Sequence, residues 1–300
     1  MISDKNEGCR LCPRQCKAKR EQGIKGVCGT ADELLVARAA LHMWEEPCIS
    51  GTKGSGTVFF SGCPLRCVFC QNREISDGSA GKAIEEKRLT EIFLELQQKG
   101  AANINLVTAG HYADRVARAL REAKQRGLTI PVVWNSGGYE LLETLSIVAD
   151  LVDVWLPDFK FFSAETAMRF AKALDYPDIA KKAIAFMVEK AGPPVFDEEG
   201  YMKHGVIVRH LVLPGHRKES EDIIRYLYET YGDRIYLSIM NQYTPPKEPL
   251  PERELNRKLT RYEYDKTVAF AMELGVTNAY IQEGETAEES FIPPFTGEGV

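Results

Sequence analysis

The 300-residue sequence has no cysteine beyond position 70, although eight stand at or before it. It also has no uninterrupted apolar run long enough to cross a bilayer, which takes about 20 predominantly apolar residues. The opening MISDKNEGCR lacks the apolar core of a secretory leader, so the expected location is the cytoplasm, with no membrane partner. An excess of positive charge is lacking too. The formal net charge is −5, which leaves no global field to draw in nucleic acid. Internal repeats and low-complexity tracts are absent. What remains is ordinary for a globular chain, 44% hydrophobic and 27% charged. The length suits one large α/β domain or two smaller ones, and a monomer is expected.

The cytosol keeps thiols reduced, so eight cysteines there do not read as a disulfide framework. Four lie at Cys9, Cys12, Cys16 and Cys28, three at Cys63, Cys67 and Cys70, and Cys48 stands alone as a structural thiol. Thiolates crowded into short segments are what metal coordination needs. The first group, C-x2-C-x3-C-x11-C, can close a tetrahedral zinc site or fill every position of a [4Fe–4S] cluster, and both stay open. Arg10, Arg14, Lys17, Lys19, Arg20 and Lys25 surround it, as a docking face for an acidic electron donor or nucleic acid, or as a solvated face. The second group, C-x3-C-x2-C, can bind three irons of a cubane and leave the fourth without a protein ligand. An open metal position marks a reactive site.

Past residue 55, β-rich runs at 57–61, 104–108, 132–135, 152–156, 206–212 and 235–240 alternate with helical patterns. Those patterns cover 91–99, 112–126, 140–149, 165–189 (broken at Pro177), 219–231 and 261–274. The strands show little polar alternation, as parallel strands buried on both faces do. In the second helix Ala113, Val116, Ala117, Leu120 and Ala123 share one face. Six β-α repeats predict an α/β fold, a partial (β/α)6 TIM-like barrel over residues 51–300, with right-handed crossovers. Residues 1–50 form a small cysteine-rich, metal-binding extension (1–33) and a bridge (34–50). The tail after Gly284, acidic and then carrying FIPPF, is expected to pack back onto the body.

At the end of the first barrel strand the sequence GSGTVFFSGCPLRCVFCQN places an aromatic residue, Phe69, before the last cysteine. With CRLCPRQC, EEPCISG, DVWLPDFK, VRHLVLPGH and MNQYTP, this resembles the radical S-adenosylmethionine superfamily, in its pyruvate formate-lyase activating-enzyme-like subgroup. The resemblance extends over nearly the whole chain. It implies a [4Fe–4S] cluster on Cys63, Cys67 and Cys70 and S-adenosylmethionine chelated at the open iron. Reductive cleavage would give a 5′-deoxyadenosyl radical that abstracts hydrogen from a substrate. A low-potential electron donor of flavodoxin or ferredoxin type and anaerobic work are implied as well.

Further site residues follow from the same resemblance. Thr108, Ala109 and Gly110 occupy the turn that receives the methionyl amino group, without the acidic residue usual there. His111 is either a substrate-side group or a helix-start residue. Asn135 and Ser136 suit ribose hydroxyls, and Asp158 and Lys160 face one side of an extended segment and suit the cofactor carboxylate. Arg209, inside an apolar strand, must find an anion. Gln242 and Tyr243 are candidates for adenine or substrate contact, and Met240 for core packing. Three functions stay open: activation of a glycyl-radical enzyme partner; radical modification of a small molecule, peptide or RNA; and a non-catalytic iron–sulfur or zinc protein of electron transfer or binding.

Overall fold

The computed structural model describes residues 8–282 and 293–300. Among the described residues, ten strands form one sheet: β1 (Leu34–His42), β2 (Ser55–Phe60), β3 (Lys82–Ile84), β4 (Ile104–Val107), β5 (Val132–Ser136), β6 (Val154–Pro157), β7 (Val195–Phe196), β8 (Met202–Leu211), β9 (Tyr236–Met240) and β10 (Ala279–Ile281). The α-helices are α1 (Pro47–Ser50), α2 (Arg73–Ser76), α3 (Glu86–Gln98), α4 (Ala113–Gln125), α5 (Leu142–Val148), α6 (Ala164–Ala171), α7 (Tyr176–Ala191), α8 (Arg217–Tyr231) and α9 (Arg261–Leu274). The strand order is β10-β9-β8-β6-β5-β4-β2-β1-β3, with β7 on β8.

All pairs from β2 to β10 along that order are parallel, and β1 lies antiparallel to β2. The six expected β-α units are therefore present, from β2 with α3 to β9 with α9, and they make a mostly parallel partial barrel behind a cysteine-rich amino-terminal region. Residues 34–42, read from the sequence as connecting chain, are a strand of that sheet. Its register, His42 opposite Ser55 and Val36 opposite Phe60, brings the chain after β1 back to the starting edge of the barrel. The expected helix break at Pro177 falls just before it instead. Lys172 caps α6 in the left-handed region, and Pro177 sits in the first turn of α7, where its missing N–H costs nothing.

Two apolar layers hold the sheet. Outside it, the helices bury Trp134, Trp155, Phe60, Phe93 and Tyr176, and α4 supplies the five-residue stripe seen in the sequence. Inside the lower barrel, Cys48 and Ile49 of α1 pack on Val133, Val154, Leu156, Met202 and Ile207. Short helix α1 is thus a plug in the barrel floor, and Cys48 is a buried thiol whose pKa burial pushes up to about 12. The carboxyl-terminal tail also packs back. The Phe295 ring meets Phe59 edge-on at 5.4 Å, and Ala39 N–H donates to Glu298 O at 2.8 Å. Phe291 and Ile292 of FIPPF lie outside the described residues.

If the floor is a packed layer, Ile207→Ala should cost about 2–5 kcal/mol. Urea denaturation reads this directly, and an unchanged midpoint would contradict the plug.

Candidate active site

The three-cysteine loop leaves β2 at its carboxyl end and is held from two sides. Cys63 N–H donates to Cys28 O at 3.1 Å, and Gly62 N–H to Ile75 O at 2.7 Å. Gly62 has φ +88°, and a Cβ there would stand 2.5 Å from Thr30 Cγ2 and 2.8 Å from Cys28 O. Only glycine permits that approach. Beneath the loop, buried Phe69 packs against Phe161, Phe170 and Tyr243 at ring distances near 6 Å.

Cys63, Cys67 and Cys70 line one side of a cavity of about 370 Å³. Thr108, Asn135, Ser136, Asp158, Lys160, Arg209 and Gln242 line it too, together with Phe69 and Met240. Most of the residues singled out in the sequence are therefore brought to one space, at the carboxyl ends of the strands. Asp158 lies at its centre. Lys160 Nζ donates to its Oδ2 at 2.6 Å and Arg209 Nε to its Oδ1 at 3.0 Å. Arg209 Nη2 donates to Asn135 Oδ1 at 2.5 Å and Nη1 to Glu45 Oε2 at 3.2 Å. Burial opposes charge on Asp158, but Lys160 and Arg209 outweigh it and hold the carboxyl below its ordinary pKa. Asp158 likewise outweighs the burial of Lys160 and of Arg209 and keeps both cations protonated. Glu45 goes the other way, because burial exceeds the help of its single Arg209 contact.

Tyr176 steadies this corner from outside. Its hydroxyl donates to the carbonyls of Gly137 and Asp158, each at 3.0 Å, and accepts Lys160 N–H at 2.8 Å. Gly138, at φ +72°, makes room for that bend, since a Cβ there would stand 2.4 Å from Asp158 O.

Other expectations are redistributed. Thr108 sits in the left-handed region at φ +60°, uncommon for a β-branched residue, with its N–H on Asn135 O at 2.8 Å. Ala109 and Gly110 do not line the cavity; a Cβ on Gly110 would lie 2.8 Å from Glu140 Oε1. Ser136 does line it, yet its hydroxyl already donates to Glu140 Oε2 at 2.5 Å. His111 is buried away from the cavity, its Nε2 2.9 Å from Ser61 O, and so ties the β4 turn to the cysteine loop. Tyr243 is core, donating to Leu255 O at 2.6 Å, whereas Met240 is cavity wall. Sequence reasoning gave no role to Glu45 and Glu46, present only within the EEPCISG segment, or to Asn105 behind the cavity wall. Asn105, a polar residue within the apolar strand β4, was the available signal.

Cys9, Cys12, Cys16 and Cys28 fold into a knot against this loop. A Cβ on Gly26 would come within 3.1 Å of Cys16 Sγ and 3.5 Å of Cys28 Sγ, and Arg20 Nη1 is 3.9 Å from Cys9 Sγ. Two of the basic residues serve to fasten the knot. Arg14 donates to Pro64 O, Leu65 O and Ala171 O, and buried Arg20 to His111 O and Ala31 O. Lys17, Lys19 and Lys25 stay exposed.

The donor set can be tested against a cluster. Cys63, Cys67 and Cys70 bring three thiols to one cavity wall, the donor chemistry by which a cubane is held at three of its irons. Burial pushes the Cys67 and Cys70 thiols up, so bound iron is what would keep them as thiolates.

A parallel partial barrel with its charged cavity at the carboxyl ends of the strands defines an α/β-barrel enzyme class, here with a thiol-lined mouth. The family model described as the Radical SAM superfamily matches residues 57–227. An uncharacterized protein of Methanocaldococcus jannaschii, MJ0674, is 30% identical over 272 residues, which are 88% of this chain and 74% of that protein. The chain belongs to the radical S-adenosylmethionine superfamily, and its cofactors are a [4Fe–4S] cluster and S-adenosylmethionine. Among solved structures, SuiB of Streptococcus suis bound to the precursor peptide SuiA superposes with a TM-score of 0.51 at 12% identity. That match covers 75% of this chain and 47% of SuiB, so the chain spans about half of SuiB's length. Methylornithine synthase (PylB) gives 0.50 at 14% identity, covering 81% of this chain and 71% of PylB. These likenesses concern the fold.

Arg209→Met should destabilise the protein by about 3–5 kcal/mol, because it strands the buried carboxylates of Asp158 and Glu45. Lys160→Met, at a more exposed position, should cost less. Chemical denaturation of the two variants gives the order, and the reverse order would refute the central role of Arg209.

Proposed function

We propose that Cys63, Cys67 and Cys70 hold the cluster and that the cavity behind them binds S-adenosylmethionine and a substrate for hydrogen abstraction. When bound, the two cofactors supply a 5′-deoxyadenosyl radical by one-electron cleavage. The chain's own residues bind, orient and exclude water. Lys160, on the cavity wall, is the cation suited to the methionyl carboxylate, held in place by Asp158. Thr108 and the backbone of the β4 turn offer acceptors for the amino group. Asn135 keeps its amide N–H groups for the ribose, since its Oδ1 is occupied by Arg209. Phe69 and Gln242 close the sides, and a covered, apolar-backed site protects a reactive species from water. The observation that carries this reading is that the loop cysteines and the Asp158–Lys160–Arg209 network line a single cavity.

The same reading gives the substrate a place deeper in the barrel than the cysteines. It favours an oxidoreductase-type radical reaction on a separate substrate, with activation of a glycyl-radical enzyme as one form of it. Exposed Lys17, Lys19 and Lys25 beside the knot suit an acidic, low-potential electron donor such as a flavodoxin or ferredoxin. The knot of Cys9, Cys12, Cys16 and Cys28 is read as a second metal site, zinc or iron–sulfur. No helix among the described residues is long and apolar enough to cross a membrane.

Anaerobic purification and metal analysis test the assignment. A Cys63/Cys67/Cys70→Ala variant should lose about four irons and all formation of 5′-deoxyadenosine, and the metal it retains identifies the knot. Full iron content with undiminished cleavage would overturn the assignment. Lys160→Met should raise the KM for S-adenosylmethionine about tenfold, the loss of one charge-assisted contact of about 1.4 kcal/mol. An unchanged KM would remove Lys160 from the cofactor site.

A further inference from the structure

The far end of the cavity from the cysteines holds an acceptor without a donor. Glu46 follows β1, whose last residue pairs with the first of β2, so it stands opposite the carboxyl-terminal edge where the cysteine loop begins. It is only 8% exposed and lines the cavity, yet its Oε2 has no hydrogen-bond partner. Asn105, fully buried behind the cavity wall and not lining it, repeats the imbalance. Its amide N–H donates to Glu45 Oε1 at 3.0 Å, and its Oδ1 is left without a donor. Both orphaned atoms accept and neither can be satisfied by another acceptor.

The buried charges point the same way. Glu45, Glu46 and Asp158 share the cavity with two buried cations, Arg209 and Lys160; Arg66 is exposed at the lip and turned to Val27 O. Lys160 is engaged with Asp158, and Arg209 divides its donors among Asp158, Glu45 and Asn135. Burial pushes the Glu46 carboxyl up, and Arg209 through space, its own backbone N–H and the Ser238 hydroxyl only partly offset this; Oε2 keeps no partner among them. A buried carboxylate in that position is costly unless a donor, preferably a charged one, completes it.

We propose that Glu46 is a recognition subsite for a primary ammonium group of the substrate. An ammonium brings a positive charge and three donors, one of which would complete Glu46 Oε2. A substrate anchored there by its amine would extend toward the cysteine loop and present its reacting C–H bonds at that end. This rests on the radical reading of the cavity for its consequence, but the binding itself can be measured apart from any reaction.

The test uses the full chain, loaded anaerobically with its cofactors, and three probes of equal length: n-butylamine, n-butanol and butyrate. Equilibrium titration followed by calorimetry should show saturable binding of butylammonium at neutral pH, at least tenfold tighter than either of the others. Glu46→Gln should weaken that binding at least tenfold, whereas Glu46→Asp should keep the preference for the amine. Iron content and circular dichroism matching wild type qualify each variant. If Glu46→Gln does not fold, the wild-type preference and Glu46→Asp still decide the matter. Equal binding of amine and alcohol, as a floor satisfied by water or by a protonated Glu46 would give, overturns the subsite. So does a Glu46→Gln protein that folds and binds the amine as wild type does. Formation of 5′-deoxyadenosine is measured separately without probes. A protein that prefers the amine but never cleaves S-adenosylmethionine supports the subsite and faults the reaction.

Discussion

Arg209 carries a guanidinium into an apolar strand, and its donors reach three other parts of the chain. It meets Asp158 at the end of β6, Asn135 in β5 and Glu45 in the segment after β1. A buried charge of this kind is tolerated only when its surroundings are saturated with good partners, so the four segments must arrive together or not at all. That condition fixes the registration of β5, β6 and β8 around the cavity. It also makes the network stiff where positioning matters, because moving Asp158 would strand both Arg209 and Lys160. Strand pairing alone would leave the carboxyl ends free to differ by a few ångströms.

The mouth of the cavity is organised by a second set of contacts. The cysteine loop has few apolar residues of its own beyond Leu65 and Phe69, and most of its fixed points are backbone groups borrowed from elsewhere. Cys28 O, Ile75 O and the Arg14 guanidinium each hold one stretch of it. The amino-terminal knot is therefore part of how the loop keeps its shape. A lesion in the knot should be felt at Cys63, whose N–H donates to Cys28 O, and along Pro64 and Leu65, which Arg14 holds.

The alternation of β-branched runs and amphipathic helices exposed the parallel barrel in the sequence, since strands buried on both faces and helices buried on one leave unmistakable patterns. The spacing of Cys63, Cys67 and Cys70 exposed the three-cysteine loop, and the charged pair in DFK and the arginine in an apolar strand exposed much of the cavity wall. Other features were hidden for physical reasons. Strand β1 reads weakly because Ala37, Ala39 and Ala40 dilute its β character. Glu45 and Glu46 fall in a segment that reads only as a bridge, and it is the antiparallel register of β1 that returns them to the barrel. Met240, at the end of β9, faces the cavity, whereas Tyr243 lies past the strand and turns into the core, where it is held by Leu255 O. His111 proved to be a tie between loops, a role that depends on a carbonyl fifty residues away.

The central claim is that this chain presents a three-thiol cluster with an open iron to a cavity built for S-adenosylmethionine. Electron paramagnetic resonance of the reduced, anaerobically loaded protein addresses it most directly. The account predicts a reduced-cluster signal whose g-values shift on addition of S-adenosylmethionine. A signal indifferent to S-adenosylmethionine, with the loop cysteines intact, would contradict it.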